Sequence, residues 1–168
     1  MKSNVYLTGF MGTGKSVVGK SLAKRLGRPF IDLDHMIEKK SGFTVAELFS
    51  RRGEISFRRL ERSALSAVAK RRNVVVSLGG GALLDGRNRE LVNKTGVMIR
   101  LTCSRRELVR RLRPTRAQRP LLAGGSLDTK VARLISARRH AYGGAKLTVS
   151  TTNLTNAQAA AVIARRLS

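Results

Sequence analysis

Apolar positions in this chain follow two rhythms. Short, nearly continuous apolar runs alternate with stretches in which apolar residues recur every three or four positions. The runs at 4–8, Phe30-Ile31-Asp32-Leu33-Asp34, Val74-Val75-Val76-Ser77-Leu78, Val97 to Leu101 and Leu147 to Thr151 predict five strands. Between them, Val18, Leu22 and Leu26 predict a helix from Lys15 to Leu26, closed by Gly27 and Pro29. Asp34 is a candidate N-cap for a helix starting at His35, and Thr44 with Glu47 forms a capping box for a short helix ending near Gly53. A longer helix from Glu54 to about Lys70 carries Phe57, Leu60, Ala64, Leu65 and Val68. Further helices are predicted from Asp85 to about Lys94, from the Ser104–Glu107 capping box to near Pro114, from Asp128 through Val131, Leu134 and Ile135 to Tyr142, and from Asn156 to Leu167. Strands alternating with helices predict an α/β domain of three layers, a five-stranded parallel sheet flanked by helices, spanning residues 1–168.

Composition narrows the setting. A chain of 168 residues buries a substantial core without disulfides or metals. The single cysteine, Cys103, has no internal disulfide partner and lies beside an apolar run, so a small buried side chain in a reducing compartment is expected. No apolar stretch approaches the ~18 residues of a membrane span, and the first residues enter a strand directly. The expectation is a cytoplasmic monomer without a secretory leader. With 34 basic and 10 acidic residues the chain carries a net charge of +24, which attracts anions of every size. Two Tyr, five Phe and no Trp leave few aromatics for base stacking, so nucleic-acid binding is open to this surface but is not the predicted function.

The chemistry begins at Gly9-Phe10-Met11-Gly12-Thr13-Gly14-Lys15-Ser16, which fits G-x-x-x-x-G-K-[ST] after a strand and before a helix. Such a loop wraps main-chain N–H groups around phosphates, with the positive end of the following helix behind them. Gly12, Thr13, Gly14, Lys15, Ser16 and Val17 are therefore candidate nucleotide contacts. Lys15 would meet the outer phosphates, and the Ser16 hydroxyl suits a phosphate-bound Mg²⁺. A dinucleotide fingerprint read from Gly12 would need glycine where Val17 stands.

Other segments supply complementary groups. Asp32 and Asp34, two apart near a strand's carboxyl end, stand where α/β sheets bind ligands, and Asp32 in an apolar strand calls for an ion or donor nearby. Arg58 and Glu61 are i, i+3 neighbours, spaced either to stabilise an exposed helix or to hold a guanidinium fork for a carboxylate. Gly79-Gly80-Gly81 ends a central strand so openly that something must approach the main chain closely. Residues 105–119 hold Arg105, Arg106, Arg110, Arg111, Arg113, Arg116 and Arg119 against Glu107, either a solvated charge run or the form expected of a lid over a transferring phosphoryl group. His35 and His140 lack metal-ligand companions.

Taken together, Gly9 to Ser16, Asp32-x-Asp34, Phe57-Arg58-x-x-Glu61, Gly79-Gly80-Gly81, Arg119-Pro120-Leu121 and Arg138-x-x-x-Tyr142 occur in the order and approximate spacing of shikimate kinases. The chain resembles that family over nearly its whole length. The resemblance implies a P-loop NTPase fold like that of nucleoside monophosphate kinases, ATP and Mg²⁺ as cofactors, and phosphorylation of the shikimate 3-hydroxyl in aromatic amino-acid biosynthesis. It implies a substrate-binding region at about 33–61 and a lid at about 112–125. Lys15, Asp34 and Arg119 would be catalytic, Ser16 and Asp32 would hold the metal, and Arg111 would stack on adenine. Asp34, Arg58, Gly79, Gly80, Gly81 and Arg138 would bind shikimate, with Arg139 the alternative to Arg138. The chain departs from the family pattern in Gly143-Gly144-Ala145-Lys146, shorter by one residue, and in a longer, more arginine-rich lid. A gluconate kinase is the neighbouring enzymatic alternative, and a basic nucleic-acid-binding module the alternative of another class.

Overall fold

The computed structural model describes residues 4–167. Five parallel strands, β1 (Asn4–Thr8), β2 (Phe30–Asp32), β3 (Val75–Ser77), β4 (Gly96–Thr102) and β5 (Leu147–Ser150), form one sheet in the order β2-β3-β1-β4-β5. The apolar character of β1 and β3 follows from burial on both faces, and every residue of each is buried. The register sets Asp32 opposite Ser77 and Ser77 opposite Leu7. The segments leaving β2, β3 and β1 therefore emerge side by side at one edge of the sheet.

Helices cover both faces. On one, α1 (Lys15–Leu26) and α7 (Asn156–Leu167) pack Val18, Leu22, Ala159, Ala160 and Ile163 against Leu7, Ile99 and Val149. On the other, α2 (Leu33–Ser41), α3 (Val45–Ala69) and α4 (Gly86–Thr95) contribute Ile37, Leu48, Phe57, Leu65, Val68 and Val92 around Tyr6 and Val76. A third cluster joins Phe10 of the glycine-rich loop to α5 (Arg105–Leu112), α6 (Leu127–Ala137) and Leu122 of the lid. The expected five-stranded, helix-flanked α/β architecture is the one observed.

Several boundaries differ from the sequence reading, each for a local reason. The strand expected at 30–34 ends at Asp32, which itself caps α2 by accepting from the His35 amide, so Asp34 lies in the first helical turn and is not the cap. The Thr44–Glu47 capping box forms, but the two helices expected on either side of Gly53 are one span broken at that residue, where φ is 73°. The Ser104–Glu107 box forms by half. Ser104 accepts from the Glu107 amide, while the Glu107 carboxylate is taken by Arg110 and Arg111. Ser126, not Asp128, caps α6, and the helix stops at Ala137 before a 3₁₀ turn, Arg139–Tyr142. Cys103, expected to be buried, is only half-buried.

Candidate active site

Gly14 caps α1 in a left-handed conformation, φ 91°, that turns the chain from β1 into the helix with its amides facing outward. Lys15 Nζ folds over this loop and donates to the carbonyls of Gly9 (2.9 Å) and Phe10 (3.1 Å). Burial lowers the Lys15 ammonium to about 8, against the opposing pull of Asp34 and Asp32. The Ser16 hydroxyl donates to Asp32 Oδ2 at 2.5 Å and is the donor that this carboxylate called for. Two adjoining oxygens, one from the first turn of α1 and one from the end of β2, fit a hard cation that keeps several waters and phosphate ligands. Among the described residues no group of three or more His, Cys, Asp or Glu forms a fuller cage.

A cavity of about 880 Å³ extends from this loop across the carboxyl edge of the sheet. Gly12, Gly14, Lys15, Ser16, Val17, Asp32 and Arg119 line one end, and Asp34, Arg58, Gly79, Gly80, Gly81 and Arg138 line the other. The break at Gly53 lets both halves of α3 reach it, through Phe49 on one side and Phe57, Arg58 and Glu61 on the other.

Asp34 Oδ1 is buried without a hydrogen-bond partner among the described residues. Burial, together with the Asp32 charge, pushes its carboxyl up to about 6, with Lys15 opposing. Arg58 is held from two sides, donating to Glu61 Oε2 at 2.8 Å and to Glu54 Oε1 at 3.1 and 3.3 Å. Its guanidinium carbon also lies 5.3 Å from the centre of the Phe57 ring. The bland reading of Arg58 and Glu61 as a solvated helix pair fails, because Glu61 is only 1% exposed. Burial lifts the Glu61 carboxyl to about 7 against the pull of Arg58.

The close approach expected at the triple glycine is made by side chains of the protein itself. A Cβ at Gly79 would lie 2.5 Å from Glu61 Oε1 and 2.9 Å from Asp34 Oδ1, and one at Gly81 would lie 2.5 Å from Arg58 Nη2. The chain's own charged side chains cross the main chain there. Gly80 is latched from the far side, where the Tyr142 hydroxyl donates to its carbonyl at 2.6 Å. Arg138, at the junction between α6 and the 3₁₀ turn, is 5% exposed and lines the cavity, whereas Arg139 is exposed.

Two residues expected at the nucleotide do not line this cavity, though both adjoin the phosphate loop. Thr13 is buried beneath the loop, its hydroxyl donating to Phe10 O at 2.7 Å, and it does not line the cavity. Arg111 also lies outside the cavity lining. Its guanidinium donates to Glu107, to Gly12 O and to the carbonyl and hydroxyl of Thr151, so it ties α5 to the glycine-rich loop and to the segment after β5. The segment expected to form a lid is folded into 3₁₀ turns, Arg113–Gln118 and Pro120–Leu122, with Arg116 donating to the carbonyls of Leu122, Gly124 and Gly125. Arg119 reaches from it into the cavity, and burial there lowers the pKa of its guanidinium. Sequence reasoning offered Glu61, in one of two alternatives, as the holder of the Arg58 fork, and gave Tyr142 no place in the site. A short i, i+3 spacing and a tyrosine at the end of the Arg138 motif were the available signals.

Known proteins share this arrangement. A family model described as shikimate kinase matches residues 11–168. A shikimate kinase of Geobacter metallireducens is 44% identical over 149 residues, covering 89% of this chain and 83% of that protein. One from Bacteroides thetaiotaomicron is 47% identical over 133 residues, 79% of this chain and 76% of its own length. The solved shikimate kinase from Acinetobacter baumannii in complex with shikimate superposes with a TM-score of 0.95 at 33% identity, covering 99% of this chain and 93% of that one. A gluconokinase from Sinorhizobium meliloti, at 19% identity and TM-score 0.60, shares the fold alone. Similarity to shikimate kinases thus covers residues 11–168, nearly the whole chain, and the chain belongs to the shikimate kinase family.

Proposed function

We propose that this chain transfers the γ-phosphoryl group of ATP to the 3-hydroxyl of shikimate, giving shikimate 3-phosphate and ADP. One observation carries the reading: a phosphate loop with its lysine and a buried carboxylate beside two arginines line a single cavity. The main-chain amides of Gly12 and Gly14 and the Lys15 ammonium hold the β- and γ-phosphates, and Arg119 approaches the γ-phosphate from the lid side. Ser16 and Asp32 would hold the Mg²⁺, which supplies charge neutralisation at the phosphates when bound.

Arg58 and Arg138 grip the planar carboxylate of shikimate, a task for paired guanidinium forks. With the acid anchored at that end, Asp34 Oδ1 accepts the hydrogen bond of the 3-hydroxyl and aims its oxygen at phosphorus. As the new O–P bond forms, the hydroxyl proton passes to Asp34. A loose transition state makes alignment more valuable than base strength, which agrees with a carboxylate raised only to about 6. Glu61 holds Arg58 in its fork geometry without touching substrate.

Gluconate, also a hydroxylated carboxylate, is the competing acceptor, and a panel of acceptors with ADP release and product mass as readouts separates the two. Shikimate-dependent ADP with shikimate 3-phosphate as product is expected, while preference for gluconate or acceptor-independent ADP release overturns the assignment. No helix among the described residues is long and apolar enough to cross a membrane. We propose that the enzyme works as a single-domain monomer in the cytoplasm, on small-molecule substrates only for this reaction.

A further inference from the structure

The charge of +24 is distributed unevenly along the chain. All 10 acidic residues lie between Asp32 and Asp128, which leaves the first 31 and the last 40 residues without a carboxylate side chain. The fold brings these two remote ends together, because α1 and α7 pack side by side on one face of the sheet. Their outer surface presents Lys20, Lys24 and Arg25 from α1 and Arg165 and Arg166 from α7, all exposed. None of the five forms a salt bridge among the described residues. The opposite face is built differently, since Glu38, Glu47, Glu54, Glu61, Asp85 and Glu90 lie in or next to α2, α3 and α4 among its cations.

Neither the phosphate loop nor the shikimate end uses this layer. Lys24 and Arg25 stand nine and ten residues along α1 from Lys15, about 14 Å down the helix and away from the cavity. We propose that the α1–α7 face binds the phosphate backbone of single-stranded RNA. Carboxylates would repel a polyanion, and this face has none. The exposed apolar residues of the two helices are Val17 and Val162, with no aromatic ring on which bases would stack, so binding reads charge and not sequence. A flexible strand follows the convex surface of two packed helices, whereas a stiff duplex touches it along few phosphates.

The test uses the intact chain and a fluorescein-labelled oligouridylate, with binding followed by anisotropy across a salt series. Replacing Lys20, Lys24, Arg25, Arg165 and Arg166 together by Gln is expected to weaken binding about 100-fold at physiological salt. The slope of log K against log salt should fall by about 3.5, about 0.7 for each contact removed. Shikimate-dependent ADP formation should be unchanged, which checks that the variant is folded. A control replaces Lys39, Lys40, Arg59, Arg71 and Arg72, five exposed cations of the acid-bearing face, by Gln. Equal loss in the control overturns the proposal, since net charge and not this face would then be responsible. Unchanged binding in the first variant, tighter binding of duplex DNA, or binding to phosphatidylglycerol vesicles in place of RNA also overturns it.

Discussion

The two ends of the cavity are built on opposite plans. The proposed nucleotide end is built mainly on one contiguous segment, Gly9 to Ser16, to which Asp32 and Arg119 are added from elsewhere, and the geometry of that segment is local: a left-handed glycine, a helix start and a lysine folded over its own loop. The acceptor end is assembled from separate segments, with Asp34 from α2, Arg58 and Glu61 from α3, the glycines after β3, and Arg138 and Tyr142 from beyond α6. At the first end the main chain supplies the recognition. At the second, buried side chains hold one another in place, and the glycines exist to let them pass. A local device tolerates change elsewhere in the fold, whereas an assembled one is exposed to any substitution that disturbs a neighbour.

The strongest way to break the comparison is at its shared residue. Lys15→Ala should lower kcat by about 10³-fold, since it removes a charge aimed at the transferring group, and steady-state kinetics checks it. Asp34→Asn should lower kcat by about 100-fold with the KM for ATP little changed. The same substitution should raise Tm by a few degrees at pH 7.5 in calorimetry. The Asp34 carboxyl is raised from 3.8 to about 6, so the folded chain binds more protons than the unfolded chain between those values, and stability falls as pH climbs through them. The neutral amide avoids that loss.

The pH profile of kcat/KM should be a bell. Its acid limb falls about tenfold per pH unit below about 6 as Asp34 is protonated, and its alkaline limb falls above about 8 as Lys15 loses its charge. Profiles of the Asp34→Asn variant should lose the acid limb. Glu61→Gln should raise the KM for shikimate about tenfold by loosening Arg58, with ATP binding unaffected. Tyr142→Phe, which leaves the Gly80 carbonyl without its donor, should raise the same KM about fivefold, the smallest of these effects.

The same division explains what could be read from the sequence. Continuous apolar runs and helical patterns located all five strands because β1 and β3 are buried on both faces and the helices are amphipathic. The phosphate loop was legible because its residues are consecutive. Asp34 was misplaced as a strand residue or helix cap, because capping competition between Asp32 and Asp34 is decided by where β2 stops pairing with β3. The choice of Arg138 over Arg139 depended on the helix ending at Ala137, which one sequence does not disclose. The choice between the two readings of Glu61 needed its burial against Gly79, and Tyr142 gained meaning only once Gly80 was known to lie beside it. Arg111 carries a motif position, and its contacts to Gly12 and Thr151, remote in sequence, place it beside the phosphate loop in a way that spacing alone does not disclose.

Separate calorimetric titrations of ATP and shikimate into the Arg58→Ala variant test the two-plan account most directly. The account predicts about 100-fold weaker shikimate binding from loss of a paired guanidinium contact, with ATP affinity as in the parent chain. Comparable weakening of ATP binding would contradict it, because the acceptor end would then not be a separately assembled half of the site.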